Sequence, residues 1–195
     1  MREKIISDWQ SDTLDSSTFP ELQEYEGLII QHNSKLETLT LKDLPELQRL
    51  QIYTNALKSI TLKNLPCLQL LDIQENTLIN LDLPEELPNL SFFEIDAKDV
   101  LSYFQLPILP YLLELKIWNL SGNRIFEDLP NLQTLDISGN EGLVSIDCSG
   151  IAQVPTFSEF KYDDILTITC DETLFDTISS PALLKIKKKI KPKES

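Results

Sequence analysis

Few side chains in this chain are of a type and spacing suited to chemistry. A Cys-His or Ser-His nucleophile system would have to use His32, the only histidine. His32 precedes Asn33 where an apolar segment ends, which is the setting of a polar turn residue and not of a general base. Cys67, Cys148 and Cys170 are odd in number and unrelated in spacing, so neither a disulfide framework nor a zinc site is indicated. Cys67 follows a proline and has no basic neighbour in sequence to activate it, while Cys148 and Cys170 read as structural. No Gly-rich phosphate loop, HExxH or paired CxxC occurs. Carboxylate chemistry remains. Glu94 and Glu114, on adjacent strands, would come within about 5 Å, as glycoside hydrolysis requires. An open sheet would not keep water from such a pair, so the chain is read as non-catalytic, with no cofactor and no metal.

The elements that must position these groups follow from composition and repetition. The chain has 195 residues, 42% of them apolar, enough for one domain with a sizeable core, and its 5 glycines exclude collagen-like or glycine-linker character. Its 17 basic and 31 acidic residues give a net charge of −14, which opposes a phosphate backbone and so argues against a nucleic-acid role. No run nears the roughly 18 apolar residues of a membrane span, and MREKIISDWQ lacks the apolar stretch of about 7 to 15 residues in a secretory signal. The expected location is the cytoplasm, or outside the cell by a secretion system that needs no signal peptide.

A Pro-x-apolar mark recurs at Pro20, Pro45, Pro66, Pro88, Pro110, Pro130 and Pro155, at spacings of 25, 21, 22, 22, 20 and 25. A short alternation follows each: Leu28-Ile29-Ile30, Leu50-Gln51-Ile52, Leu71-Asp72-Ile73, Phe93-Glu94-Ile95, Leu115-Lys116-Ile117, Leu135-Asp136-Ile137 and Phe160-Lys161-Tyr162. Asparagine comes three residues after the second apolar position at Asn33, Asn55, Asn76 and Asn140, while Lys98 and Leu120 break the series. These asparagines are expected to turn inward and satisfy backbone groups at a corner. Local irregularity is expected at 96–104 and 118–126, with a turn at Ser121-Gly122-Asn123.

This pattern resembles the leucine-rich repeat, L-x-x-L-x-L-x-x-N-x-L, over residues 20 to 168. Second apolar pairs, among them Leu39 and Leu41, Ile60 and Leu62, Leu81 and Leu83, and Ile146 and Cys148, bring it close to the short bacterial repeats of internalin-like and effector proteins. The resemblance implies a β-dominated solenoid of the α/β class. A parallel sheet would line its concave face, extended segments its convex side, and short helical caps its ends. The period agrees, because about 21 residues cannot hold a strand, a full helix and two turns, and proline in every repeat would interrupt a helix.

Residues 1–19 are expected to cap the first coil, with Ile5, Ile6 and Trp9 on a short helix and Ser11 to Thr18 as a loop; 20–168 form about seven coils, and 169–195 a C-terminal cap. In that last segment Leu166-Thr167-Ile168 leads in as a final strand. Ser180 and Pro181 start a helix with Leu183, Ile186 and Ile190 on one face, and six lysines crowd 185 to 193. They are read as solvated partners of the helix terminus rather than as a membrane anchor.

Alternation places two residues of the first strand and three of each later one on the concave face: Ile29 and Gln31; Arg49, Gln51 and Tyr53; Leu70, Asp72 and Gln74; Phe92, Glu94 and Asp96; Glu114, Lys116 and Trp118; Thr134, Asp136 and Ser138; Glu159, Lys161 and Asp163. Asp72, Glu94 and Asp136 form an acidic column interrupted by Lys116, with Tyr53, Phe92 and Trp118 as exposed aromatics among them. Such a mixture is the composition of an interface centre. The expected function is non-covalent binding of another protein, one with a basic patch, by a monomer. Family resemblance adds a host-directed bacterial effector; an immunity-type neutraliser of a basic toxin or enzyme is the alternative, and a carboxylate hydrolase a remote one.

Overall fold

The coil is set by a four-residue turn repeated five times: Leu44-Pro45-Glu46-Leu47, Leu65-Pro66-Cys67-Leu68, Leu87-Pro88-Asn89-Leu90, Leu109-Pro110-Tyr111-Leu112 and Leu129-Pro130-Asn131-Leu132. In each, the amide of the last leucine donates to the carbonyl of the first at 3.2–3.3 Å. Proline supplies the fixed φ of the second turn position, and its missing N–H is one that no bond needs there. Both leucines of every turn are buried, so each turn also anchors the coil to the core, at about 1.5–3 kcal/mol per buried side chain.

The computed structural model describes residues 1–96, 106–119, 121–125, 129–136, 142–147, 167–170 and 190–192, of which 121–125, 136, 142–147, 167–170 and 190–192 are described by backbone. In chain order the first strands are β1 (Glu3–Ile6), β2 (Thr13–Asp15), β3 (Gly27–Gln31), β4 (Thr38–Lys42), β5 (Arg49–Tyr53), β6 (Ser59–Lys63), β7 (Leu70–Gln74) and β8 (Asn80–Asp82). There follow β9 (Phe92–Asp96), β10 (Glu114–Trp118), β11 (Ser121–Ile125), β12 (Thr134–Asp136), β13 (Gly142–Asp147), β14 (Thr167–Cys170) and β15 (Ile190–Pro192). The helical content among the described residues is two short 3-10 segments, Ser16–Thr18 and Pro20–Glu24.

Every described strand pairing is parallel. A seven-stranded sheet runs β1-β3-β5-β7-β9-β10-β12, a four-stranded sheet β2-β4-β6-β8, and a second four-stranded sheet β11-β13-β14-β15. The result is a β-dominated solenoid of about five turns. Equivalent residues stack in register: Leu28, Leu50, Leu71, Phe93, Leu115 and Leu135 form one column, and Ile30, Ile52, Ile73, Ile95 and Ile117 the next. All are buried, and the core fills the space between them, the turn leucines and Leu39, Leu41, Ile60 and Leu62 of the second sheet.

Six of the seven expected L-x-I strands lie side by side in the long sheet; the seventh, Phe160 to Tyr162, is outside the described residues, as are Lys98, Leu120, Asn140, Cys148, Ser138 and residues 159–163. The seventh strand observed is β1, where a helix was expected. Ile5, Ile6 and Trp9 fit either period over so short a run, but the edge of β3 presents amides that need acceptors. Arg2 supplies one, its carbonyl taking the amides of Glu26 and Gly27 at 2.9 and 3.0 Å. The expected loop at 11–18 contains β2 and a 3-10 turn capped by Asp15, which accepts from the Ser17 amide at 2.8 Å. This end is covered by an edge-to-face pair, Trp9 and Phe19, with ring centroids 5.3 Å apart, and the Trp9 indole N–H donates to the Thr13 carbonyl at 2.8 Å.

Three further expectations are corrected. Ser121-Gly122-Asn123 is no turn but lies in β11, with a register shift between Gly122 and Asn123 against β13. The strand at Thr167 is present as expected but is not the final one, because β15 follows it and pairs with it. Ile190, assigned to a helix face, is in β15, paired with Ile168; the rest of the proposed C-terminal helix is outside the described residues. The second apolar pairs do more than extend: in β4 and β6 they form a hydrogen-bonded sheet.

The asparagine corner takes the expected form at three coils. Asn33, Asn55 and Asn76 are buried, and their amide nitrogens donate to the carbonyls of Ile6, Ile30 and Ile52 in the preceding coil at 3.1, 3.0 and 3.1 Å. The Asn55 Oδ1 accepts from both the backbone and the side chain of Asn33, at 3.0 and 2.9 Å. The Asn76 Oδ1 has no hydrogen-bond partner.

Candidate functional site

The outward residues of the long sheet form three rows fixed by strand register. One runs Glu3, Gly27, Arg49, Leu70, Phe92, Glu114, Thr134; the next Ile5, Ile29, Gln51, Asp72, Glu94, Lys116, Asp136. In the third, Gln31, Tyr53 and Gln74 are in register, as are Asp96 and Trp118. Asp72 and Glu94 thus share a row with Lys116, as expected, and the backbone of Asp136 continues it; the Asp136 side chain is outside the described residues. Tyr53, Phe92 and Trp118 are half-buried, less open than expected, because neighbouring strands stand close enough for long side chains to lean on them.

At the centre the side chains form one connected network. The Gln74 amide donates to Asp72 at 2.7 Å and to Glu94 at 2.6 Å, so one nitrogen links two carboxylates on adjacent strands. Gln51 donates to the other Asp72 oxygen at 3.4 Å. The Lys116 ammonium lies 2.7 Å from Glu114 and 3.8 Å from Glu94, and 5.1 Å from the centre of the Phe92 ring. Asn119 donates to Asp96 at 2.6 Å.

Arg49 is turned away from this network towards Glu3, at 3.9 Å. Burial, then the negative charges of Asp72 and Glu3, push the Tyr53 phenol above its ordinary pKa of 10.0. Glu3 belongs to this face and escapes a reading in which β1 is helical; the segment Glu3-Lys4-Ile5-Ile6, in register with Gly27 to Ile30, is where it is legible. His32 is exposed at a left-handed corner, φ 56°, and Cys67 is a half-buried free thiol in its turn. No group of three or more metal-ligating side chains occurs among the described residues.

Compared with family models, with curated proteins and with solved structures, the chain finds no match.

Proposed function

We propose that the chain is a leucine-rich-repeat binding module, that the outer face of the seven-stranded sheet is its concave face, and that this face takes a basic protein non-covalently. The observation that carries the reading is the array around Gln74: amides and carboxylates tied into one preformed surface, with Tyr53, Phe92 and Trp118 around it. Such a surface gives aromatic anchors and a negative field that speeds encounter with a cationic partner. A hydrolase reading has less support, because Lys116 holds both Glu94 and Glu114. Family resemblance suggests a bacterial host-directed effector. The net charge of −14 favours, as a second reading within binding modules, an immunity-type neutraliser of a basic toxin or enzyme.

The test is affinity capture from source and host lysates at low and high salt, with wild type beside a folded Tyr53→Ala, Phe92→Ala, Trp118→Ala variant. A basic protein retained by the wild type and lost by the variant supports the reading, and one retained equally by both removes it. Stoichiometric inhibition of a captured basic enzyme would select the neutraliser.

A further inference from the structure

Asp72 breaks the alternation of its strand. In β7 the inward Leu71 and Ile73 are buried as expected, but so is the outward Asp72, at 9% exposure. Of the carboxylates described on this face, Glu3 has Arg49, and Glu94 and Glu114 share Lys116. Asp96 is half exposed to water. Asp72 alone is buried, and among the described residues no ammonium or guanidinium nitrogen lies within 4.0 Å of it. Gln51 and Gln74 donate one hydrogen bond each to a group able to accept about four. They orient the carboxylate without cancelling its charge, and a desolvated charge is ordinarily paired.

Resting on the binding reading above, we propose that Asp72 is the docking point for an arginine side chain of the basic partner. Guanidinium suits the site better than ammonium for two reasons. It is the more weakly hydrated cation, so placing it against a buried carboxylate costs less, and its planar fork matches a carboxylate whose orientation two amides fix. The half-buried ring of Tyr53 on the neighbouring strand offers a flat surface on which the same group stacks.

The experiment is calorimetric titration with a hexa-arginine and a hexa-lysine peptide at low salt. It compares the wild type, Asp72→Asn, the exposed-turn control Glu46→Gln, and the Tyr53, Phe92, Trp118 triple alanine variant. Asp72→Asn keeps shape and the Gln74 bond, and urea unfolding confirms its fold. The expected result is tighter binding of hexa-arginine than of hexa-lysine. Asp72→Asn should then weaken hexa-arginine by about tenfold or more, with less than about a twofold change in Glu46→Gln. Equal affinity of the wild type and Asp72→Asn, or equal losses in Asp72→Asn and Glu46→Gln, would overturn the arginine anchor. If the triple variant still weakens binding in that case, the binding face stands and only the anchor falls; if it too binds as wild type, the face falls with it.

A second measurement needs no variant at Asp72. Bound hexa-arginine should lower the pH at which the Tyr53 phenol ionises, isolated as the absorbance difference from Tyr53→Phe, and an unmoved phenol contradicts the anchor.

Discussion

The Glu3 carboxylate stands 3.9 Å from the Arg49 guanidinium although a whole strand, β3, runs between them. Glu3, Gly27 and Arg49 are successive members of one register row, so the backbones that carry the two charges are about 9.6 Å apart, twice the strand spacing. The gap is crossed because the residue between them has no side chain. A Cβ on Gly27 would sit 3.3 Å from both Cγ and Oε2 of Glu3. The glycine is therefore a passage through which the edge strand is tied to the second strand inward.

That relationship predicts a conditional coupling. A double-mutant cycle of Glu3→Gln and Arg49→Met, read by urea unfolding at low salt, should give about 0.5 kcal/mol, the range of partly exposed pairs. In a Gly27→Val background the coupling should vanish, since the branched side chain occupies the passage. Undiminished coupling there would show that the pair does not depend on it.

The asparagine corners predict a ranking. Asn33→Ala leaves the Trp9 amide and the Ile6 carbonyl without their partners, bonds of 2.8 and 3.1 Å, and should cost about 2–4 kcal/mol. Asn76→Ala loses two donated bonds but also removes an oxygen that is already unpartnered, and should cost about 1–2 kcal/mol. Urea midpoints at constant slope measure both, and the reverse order would contradict the account.

Solenoid corners impose left-handed backbone on residues other than glycine: Asp8, His32, Asp43, Thr54, Asn64, Glu75 and Asn119 all have φ between 51° and 60°. Thr54 is the one β-branched member and fits worst. Thr54→Asn should stabilise by about 0.5–1 kcal/mol, because asparagine tolerates this region and keeps a polar group near Glu75, which Thr54 bonds at 2.8 Å. Thr54→Val should destabilise. Thermal unfolding decides, and a lower midpoint for the asparagine variant would remove the argument.

Tyr53 predicts the alkaline behaviour. Its folded pKa lies above 10.0, from burial first and then from Asp72 and Glu3. Below pH 10 the phenol is neutral in both states and the stability is intact. As pH rises through 10 towards the folded value, the unfolded chain releases the proton first and stability falls. Tyr53→Phe should flatten that part of the curve, measured as unfolding free energy against pH above 9; an unchanged slope would place the alkaline loss elsewhere.

Much of the fold is legible in one dimension. The Leu-Pro-x-Leu turns repeat because each must close a coil and bury two leucines, and six L-x-I strands fall where the period puts them. The rows carrying Arg49, Gln51, Tyr53, Asp72, Gln74, Phe92, Glu94, Asp96, Glu114, Lys116 and Trp118 follow from alternation alone. Ile5, Ile6 and Trp9 did not disclose their state, since three apolar residues satisfy a helix and a strand alike. Ser121-Gly122-Asn123 has turn composition but lies in a strand beside β13.

By itself, then, the sequence determined the period, the inward columns, the buried asparagines and which side chains share the outward face, because these depend on spacing along the chain. The tertiary structure alone decided that β1 completes the sheet, that Glu3 reaches Arg49, and that Gln74 joins Asp72 to Glu94. It also decided that Lys116 is shared by two carboxylates while Asp72 is buried with no cation beside it among the described residues. Those outcomes depend on which side chain of one strand meets which of the next. Burial and charge balance are sums over neighbours brought together from about 21 residues away, and no local pattern contains them.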